Sequence, residues 1–290
     1  MADKDEQAGQ RAPAIPDWRG SMGDTWLEYL QQFESMLTHS TEAAVAHAAP
    51  KPGERILDIG CGGAPTTLAL AAAVGDAGEV VGVDICPRLA KHATERLCAA
   101  GITNARVIEA DAAALDPAMG EFDCLFSRFG VMFFEDLTEA LTGLRGHLAP
   151  GGRVRFMVWA QPARNPWIAD LMQVARQHIH VPPPDFSRPG MFGCADQTQV
   201  AVSFMNAGFS HVQFDEWEGP QWVAGQGSDP AAALEFVLRA TPIGDLAEEY
   251  AEATKAALRA DLLEFLTAHA TPEGIPRPGT AWLIHAEADD

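Results

Sequence analysis

The feature that most constrains the fold is a regular alternation of short β-branched segments and longer alanine- and leucine-rich segments between residues 55 and 159. The short apolar segments are typical of buried strands, and the longer ones, which end at glycines such as Gly75 and Gly101, are typical of helices. Strand, helix and strand at this spacing favours parallel pairing with right-handed crossovers. The pattern therefore predicts a doubly wound α/β sheet.

The individual elements can be assigned along the chain. Strands are predicted at RILDI, EVVGVDI, ARVIEA, FDCLFSRFG and GRVRFMVWA, with helices at PTTLALAAAV, PRLAKHATERLCAA and LTEALTGLRGHL between them. After Trp159 the rhythm breaks. A helix at QTQVAVSFMNAGF and two further strands at HVQFDEW and TAWLIHAEA then follow. These segments together predict a Rossmann-like sheet of seven strands.

The ends of the pattern suggest a domain organisation. Residues 1–17 have no apolar pattern and are predicted to be a disordered tail, while residues 18–290 are predicted to form a single domain. Two segments outside the regular alternation, residues 18–50 and 160–195, are expected to be helical caps that close over the site. The N-terminal cap carries the aromatic residues Trp18, Trp26 and Phe33.

Composition limits the possible partners. Forty acidic and twenty basic residues give a formal net charge of -20, which disfavours binding to nucleic acid or anionic membranes. No unbroken apolar run reaches the length of a membrane span, and no signal peptide is evident at the start. Five cysteines without C-x-x-C spacing are typical of reduced thiols. We expect a small-molecule substrate and a cytoplasmic location, and a homo-oligomer is compatible with the sequence.

Acidic residues stand at the ends of three successive predicted strands. Asp58 is followed by Gly60 and Gly62, and the next two strands end at Asp84 and Asp111. Ligands of open α/β sheets lie beyond the carboxyl ends of the strands. A nicotinamide dinucleotide would need a third glycine, where this chain has a proline, and its phosphates would face uncompensated carboxylates. The pattern favours a cationic nucleoside without phosphates.

These motifs resemble those of the class I S-adenosylmethionine-dependent methyltransferases. ILDIGCGG is similar to their first motif, VVGVDI to the second and EADAAAL to the third, while FDCLFSRFGVMFFED and LRGHLAPGGRVRF are similar to the fourth and fifth. The resemblance runs from about Trp18 to the end and is strongest to the small-molecule group likened to ubiquinone and menaquinone biosynthesis methyltransferases. The chain departs from the usual G-x-G-x-G at Ala64.

The resemblance implies S-adenosylmethionine as cofactor and a set of residues that bind it. Asp84 would accept the ribose hydroxyls, and Asp111 would accept the adenine amino group, cap the helix after it, or do both. Arg128 has three possible partners: Asp58, the cofactor carboxylate, or a surface acid. Cys61 is expected to fill space rather than react. The predicted cofactor residues are Asp58, Gly60, Cys61, Gly62, Asp84, Ile85, Asp111, Ala112, Ser127 and Arg128.

The substrate side is expected beyond the fourth and fifth strands. Its predicted pocket residues are Phe129, Met132, Phe133, Trp159, Asn165 and Trp167. His178 and His180 are candidate general bases, although histidines near a helix end can simply interact with the helix dipole. No metal cluster is evident in the sequence.

The implied reaction is direct displacement of the sulfonium methyl group by a nucleophile of a small molecule through its oxygen, nitrogen, sulfur or carbon. Two alternatives remain at this point: a nicotinamide-dependent reductase, and a protein that binds S-adenosylmethionine without catalysis.

Overall fold

The computed structural model of the protein describes residues 16–288. The predicted tail therefore lies outside the described residues except for Pro16 and Asp17. Within residues 16–288, no helix is both long enough and apolar enough to cross a membrane.

The predicted strands are all present in the described chain. Their bounds are β1 Arg55–Ile59, β2 Glu79–Asp84, β3 Ala105–Glu109, β4 Phe122–Arg128, β5 Leu148–Trp159, β6 Phe209–Trp222 and β7 Pro276–Ala288. They form one seven-stranded sheet in the order β3-β2-β1-β4-β5-β7-β6. The first five strands are parallel, and β7 is antiparallel to both β5 and β6. The predicted doubly wound α/β fold is confirmed.

The parallel register brings the ends of the strands to one edge of the sheet. Asp58 of β1 is paired with Gly82 of β2 and with Phe126 of β4. The strand order reverses between β1 and β4, which is the point where open α/β sheets bind their ligands. The fold therefore places Ile59, Asp84 and Arg128 around one crevice.

Helices cover the sheet and its carboxyl edge. Their bounds are α1 Ser21–Glu28, α2 Leu30–Met36, α3 Thr38–Ala48, α4 Pro65–Val74, α5 Pro87–Ala99, α6 Leu137–Arg145, α7 Pro166–Ala175, α8 Gln197–Asn206, α9 Pro230–Ala240, α10 Pro242–Ala247 and α11 Glu252–Ala268. The N-terminal cap is divided into α1, α2 and α3 because Tyr29 and Leu37 leave helical backbone angles. These two bends let the cap wrap around the end of the sheet.

The segment between β5 and α8 contains one regular helix. A short 3-10 turn over Pro162–Arg164 precedes α7, and the proline-rich stretch after α7 is turn and loop up to residue 196. Helix α7 packs on α11, which belongs to the helical segment between β6 and β7. In that segment Phe236 of α9 contacts the rings of Tyr29 and Phe33 at centroid distances of 5.6 and 5.0 Å. The segment between β6 and β7 thus supports both caps from behind.

Candidate functional site

A cavity of about 780 Å³ lies at the carboxyl ends of the parallel strands, beneath the N-terminal cap. Twelve of the predicted site residues contribute to its wall: Gly60, Gly62, Asp84, Ile85, Asp111, Ala112, Arg128, Phe129, Met132, Phe133, Trp159 and Trp167. Residues predicted to bind a cofactor and residues predicted to bind a substrate therefore share one cavity.

The glycine loop after β1 needs glycine for two different reasons. Gly60 and Gly62 have φ values of 68° and 55°, in the left-handed region where a side chain is strained. A Cβ on Gly60 would also lie 2.9 Å from the Cα of Gly130, so the two backbones cross in contact. Ala64, the departure from the motif, has φ 67° and precedes the first residue of α4. The loop geometry is kept although alanine is less suited to it than glycine.

Asp84 joins this loop to the end of β2. Its Oδ2 accepts the backbone N–H of Gly62 at 2.8 Å, and its Oδ1 accepts that of Cys86 at 2.9 Å. The side chain lies on the cavity wall, yet the residue is only 7% exposed. Burial raises the pKa of Asp84, while the two N–H donors lower it. Each carboxylate oxygen keeps a second lone pair, so Asp84 can still accept hydroxyl groups from the cavity.

Asp58 lies behind the glycine loop and does not contribute to the cavity wall. Its Oδ2 accepts the hydroxyls of Thr66 and Thr67 at 2.7 and 2.6 Å, which anchors the start of α4 to β1. Its Oδ1 is buried without a hydrogen-bond partner among the described atoms. Burial raises the pKa of Asp58 to about 6, against the two threonine hydroxyls and the charge of Arg128. The structure therefore favours a positioning role over direct contact.

Asp111 follows β3 at the edge of the cavity. Its Oδ1 accepts the backbone N–H of Ala113 at 3.0 Å, which is the capping role that the sequence left open. Its Oδ2 lies 3.8 Å from the Arg19 guanidinium of the N-terminal cap. Both side chains are about half exposed, so this ion pair contributes little stability by itself. It marks where the cap meets the predicted adenine end of the cavity.

Arg128, at the end of β4, is one of the two arginines on the described cavity wall. Its Nη1 donates to Thr41 Oγ1 at 2.5 Å, and its Nε is buried without a hydrogen-bond partner among the described atoms. Burial lowers the pKa of Arg128 to about 10, and the charges of Asp58 and Glu34 oppose this change. Arg128 remains charged at neutral pH. Of the three partners left open by the sequence, a surface acid is not supported, since the guanidinium lies on the cavity wall.

Two other predicted cofactor residues support the wall from behind. Ser127 donates to the Ile59 carbonyl at 2.9 Å and accepts the Gly130 N–H at 3.2 Å, which ties β4 to β1. Cys61 is buried, and burial raises the pKa of its thiol well above the usual value. As predicted for a space-filling residue, the Cys61 thiol is not poised to ionise.

Aromatic rings form the side of the cavity next to β4 and β5. The rings of Phe129 and Trp159 are stacked at 4.1 Å with an angle of 11°, and Trp167 lies 5.3 Å from Trp159. Asn165 is fully buried and is not part of the cavity wall, but its Oδ1 accepts the Trp167 indole N–H at 3.1 Å. The same Oδ1 accepts the Thr280 N–H of β7. Asn165 therefore holds Trp167 against the sheet.

The two candidate bases lie elsewhere. The described cavity wall includes neither His178 nor His180. His178 Nε2 is 2.8 Å from Asp261 of α11, and the His180 backbone N–H donates to the Tyr250 hydroxyl at 2.8 Å. Helix α7 ends at Ala175, so His178 lies in the turn that follows it and His180 in the loop that leads on to α8. These contacts hold the segment after α7 in place, and the general-base role of the two histidines stays a prediction.

Charged residues of the N-terminal cap pair with α5, and one of them, Glu34, lies on the cavity wall. The sequence analysis did not single them out. Glu34 of α2 pairs with Arg96 of α5 at 2.5 Å, and the same guanidinium nitrogen of Arg96 donates to the Gly63 carbonyl at 2.8 Å. Asp24 of α1 pairs with Arg88 of α5. Opposite charges on two predicted helices are the only sequence signal for such contacts, and it does not reveal which charges meet.

The cavity fits S-adenosylmethionine on chemical grounds. The carboxylates of Asp84 and Asp111 suit ribose hydroxyls and an adenine amino group, whereas they would repel a phosphate. The unpartnered Nε of Arg128 suits a carboxylate. The crossing of Gly60 and Gly130 leaves no room for a side chain beside the loop.

Comparison with known proteins agrees with this chemistry. Residues 56–152 match a family described as methyltransferase domain. The demethylmenaquinone methyltransferase of Staphylococcus carnosus is 28% identical, over 58% of this chain and 73% of its own length. The aklanonic acid methyltransferase DauC of a Streptomyces species is 34% identical, over 37% of this chain and 49% of its own length. The chain thus spans about half the length of the second relative.

The fold is likewise shared with solved methyltransferase structures. The phosphoethanolamine N-methyltransferase 2 of Haemonchus contortus, solved with S-adenosylmethionine, superposes with a TM-score of 0.56 at 16% identity, covering 95% of this chain and 61% of that one. The nicotinamide alternative finds no support in these matches. The chain thus carries a methyltransferase domain over residues 56–152, and S-adenosylmethionine is its cofactor.

Proposed function

We propose that this chain methylates a small, planar and largely apolar acceptor that binds against the Phe129 and Trp159 stack. The observation that carries the proposal is that these rings share one cavity with Gly60, Asp84 and Asp111. When bound, S-adenosylmethionine supplies an electrophilic methyl group that a nucleophile takes by direct displacement. The protein must then hold the acceptor in line and exclude water.

The geometry described above supports a proposed set of cofactor contacts. Asp84 accepts the ribose hydroxyls while it keeps the Gly62 and Cys86 N–H groups, and Asp111 receives the adenine amino group. Arg128 binds the cofactor carboxylate through its unpartnered Nε. Asp58 and Ser127 act indirectly, because they fix the loop that the cofactor contacts.

The acceptor class follows from the composition of the wall. The described wall contains no histidine, lysine, tyrosine or cysteine, and its cations are Arg19 and Arg128. Flat rings stack well on aromatic side chains, whereas a phosphate ester would need more positive charge. The two curated relatives are named for demethylmenaquinone and aklanonic acid, and both names fit an organic small molecule.

The side chains of the cavity wall also determine whether the protein can supply a general base for methyl transfer. Among residues 16–288, carboxylates are the only candidate bases on the wall, so the acceptor must react without a strong base or arrive already ionised. A phenolate, an enolate or a carboxylate meets this condition. Catalysis would then rest on positioning, with the N-terminal cap (residues 18–50) and the segment 160–195 closing the cavity within one domain, residues 18–290.

The test is formation of S-adenosylhomocysteine with a panel of acceptors: a hydroxylated naphthoquinone, an aromatic carboxylic acid, an aliphatic amine and a phosphate ester. We expect turnover with one of the first two, and a fall in kcat/KM for that acceptor in Trp159→Ala. Trp217→Ala is the matched control, because Trp217 of β6 lies outside the cavity wall. Cofactor binding without turnover across the panel would instead favour the non-catalytic alternative.

A further inference from the structure

A second group of potential ligands lies outside the cavity, where α3 meets the strands β6 and β7. His47 belongs to the last turn of α3, Asp215 to β6 and His285 to β7. One side-chain ligand atom from each residue lies within 4.8 Å of those of the other two. None of the three contributes to the cavity wall described above.

The strand register explains how two of these residues meet. His285 is directly opposite Gln213, and Asp215 is opposite Leu283, so Asp215 is the diagonal neighbour of His285 on the same face of the sheet. His285 Nε2 is 2.6 Å from Asp215 Oδ2.

His47 completes the group from the helix above the sheet. Its ring meets the ring of His285 edge-on at a centroid distance of 4.4 Å. His47 Nε2 lies 3.2 Å from the carbonyl oxygen of Ile284, a contact in which this nitrogen donates. The other ring nitrogen then keeps its lone pair. Metal-binding histidines are commonly oriented in this way by a carbonyl acceptor on the second nitrogen.

We propose that His47, Asp215 and His285 bind a divalent transition-metal ion of the Zn²⁺ type. Two imidazoles and one carboxylate are donors that Zn²⁺ prefers, and a fourth position would remain for water. Metal–ligand bonds of about 2.0 to 2.2 Å in a tetrahedral site place the ligand atoms roughly 3.3 to 3.6 Å apart. The present spacing, 2.6 Å between His285 Nε2 and Asp215 Oδ2 and up to 4.8 Å across the group, would have to change by roughly 1 Å to reach that geometry.

Solvent exposure and nearby charges affect how tightly His47, Asp215 and His285 would bind a metal ion. The side chains of Asp215 and His285 are 67% and 28% exposed, so an ion can reach them from solvent. The carboxyl end of α3 favours positive charge beside His47. Arg155 of β5, opposite His285 in the register, opposes a cation, although its Nη1 donates to the Val154 carbonyl. We therefore expect weaker binding than in a closed four-ligand site.

The consequence of such a site is a cross-link between distant parts of the chain. A bound ion would join the helix that ends the N-terminal cap to the two strands at the far edge of the sheet. This role is separate from methyl transfer. It would appear as metal-dependent thermal stability rather than as a change in chemistry.

The experiment uses the full chain after treatment with a chelator, titrated with Co²⁺ and then with Zn²⁺ as competitor. We expect one equivalent of Co²⁺ with the visible absorption of a low-coordinate N/O site, displacement by Zn²⁺, and a rise in melting temperature with Zn²⁺. His47→Ala, His285→Ala and Asp215→Asn should each weaken Zn²⁺ binding at least about tenfold.

The matched control is His39→Ala, which makes the same change on α3 about 12 Å from His47 along the helix axis and should leave Zn²⁺ affinity unchanged. Arg155→Met should raise the affinity, because it removes a repelling charge. Absence of metal binding, or equal affinity in the control and the three ligand variants, would overturn the proposal. Circular dichroism and cofactor binding, measured on each metal-free variant, separate this result from misfolding and from failure of the proposed methyl transfer.

Discussion

Asp84 accepts the backbone N–H of Gly62 at 2.8 Å, so a single carboxylate connects the end of β2 to the glycine loop after β1. Its second oxygen holds the Cys86 N–H at the start of α5. The residue is thus both part of the cavity wall and the element that fixes the loop. Removal of the carboxylate should therefore weaken cofactor binding both by the loss of a direct contact and by the release of the glycine loop.

We expect Asp84→Ala to weaken S-adenosylmethionine binding by about 2 to 4 kcal/mol, or roughly 30-fold to 900-fold, since two charge-assisted hydrogen bonds are lost. Isothermal calorimetry measures this directly. Asp76→Ala is the control, because Asp76 is an exposed aspartate in the loop that precedes the same strand. An unchanged dissociation constant in folded Asp84→Ala would remove Asp84 from the site.

The second prediction concerns the pH dependence of stability. Burial raises the pKa of Asp58 from 3.8 to about 6, so the folded protein holds this proton more tightly than the unfolded chain does. The free energy of unfolding should therefore fall as pH rises from about 4 to about 6, by at most about 3 kcal/mol from this residue.

Asp58→Asn should flatten that part of the profile. The amide oxygen can still accept from Thr66 and Thr67, because both hydroxyls donate to the same carboxylate oxygen. Urea unfolding of both proteins at several pH values between 4 and 7 gives the comparison. Identical slopes for the two proteins would contradict the assigned pKa.

The third prediction separates the strain of the Phe129 backbone angle from the contribution of the Phe129 side chain. This residue has φ 64°, a left-handed angle that costs a non-glycine residue about 1 kcal/mol or more. Phe129→Gly should therefore be more stable than Phe129→Ala by about 1 kcal/mol, as measured by urea unfolding. Equal stability of the two variants would show that the angle carries no strain.

Both Phe129 variants lose the stack on Trp159. We expect kcat/KM for the acceptor to fall about 2-fold to 10-fold in each, the value of one aromatic pair, while cofactor affinity changes little. Steady-state kinetics and calorimetry test this. A loss of cofactor affinity with unchanged acceptor kinetics would place Phe129 on the cofactor side.

The fourth prediction concerns the last strand. Truncation after Gly279 removes the buried residues Trp282, Ile284 and Ala286, which lie in a strand paired on both sides. We expect the truncated chain to be unfolded or insoluble, and truncation after Ala288 to be tolerated. Circular dichroism and cofactor binding decide the outcome. A folded truncated protein with normal cofactor affinity would rule out this role of β7.

The fifth prediction tests whether His178 or His180 acts as a general base. His178→Ala and His180→Ala should each lower turnover less than about tenfold at saturating cofactor, whereas loss of a general base costs about a hundredfold or more. Turnover is measured from pH 5 to 9. A hundredfold loss in His178→Ala, together with loss of the acidic limb of the profile, would restore it as a base.

The sheet could be predicted from the sequence because each parallel strand and its crossover helix form a local pattern. The face of the sheet to which the Asp58 side chain points could not be predicted. Strand β1 is buried along most of its length, so no alternation of polar and apolar residues shows which face a side chain takes. In the structure the carboxylate points to Thr66 and Thr67 of α4.

The contacts made by the two caps could not be predicted from the sequence for a different reason. The contacts of Glu34 with Arg96 and of His178 with Asp261 join residues that are distant along the chain. A local pattern predicts that a helix exists but not which neighbouring helix its charged side chains meet. The aromatic residues of the cap, Trp18, Trp26 and Phe33, lie on the cavity wall. The sequence indicates such a position because large apolar rings are seldom left fully exposed.

The position of β7 has a consequence for how the protein is made. Strand β6 comes earlier in the chain, yet its only neighbour in the described sheet is β7, and more than fifty residues separate the two. During synthesis, the fourteen residues of β6 therefore cannot form their native pairing until β7 has been translated. Such late, long-range pairing is slow and leaves a strand open to aggregation. We expect newly made chains to depend on chaperones during this interval far more than the finished enzyme does.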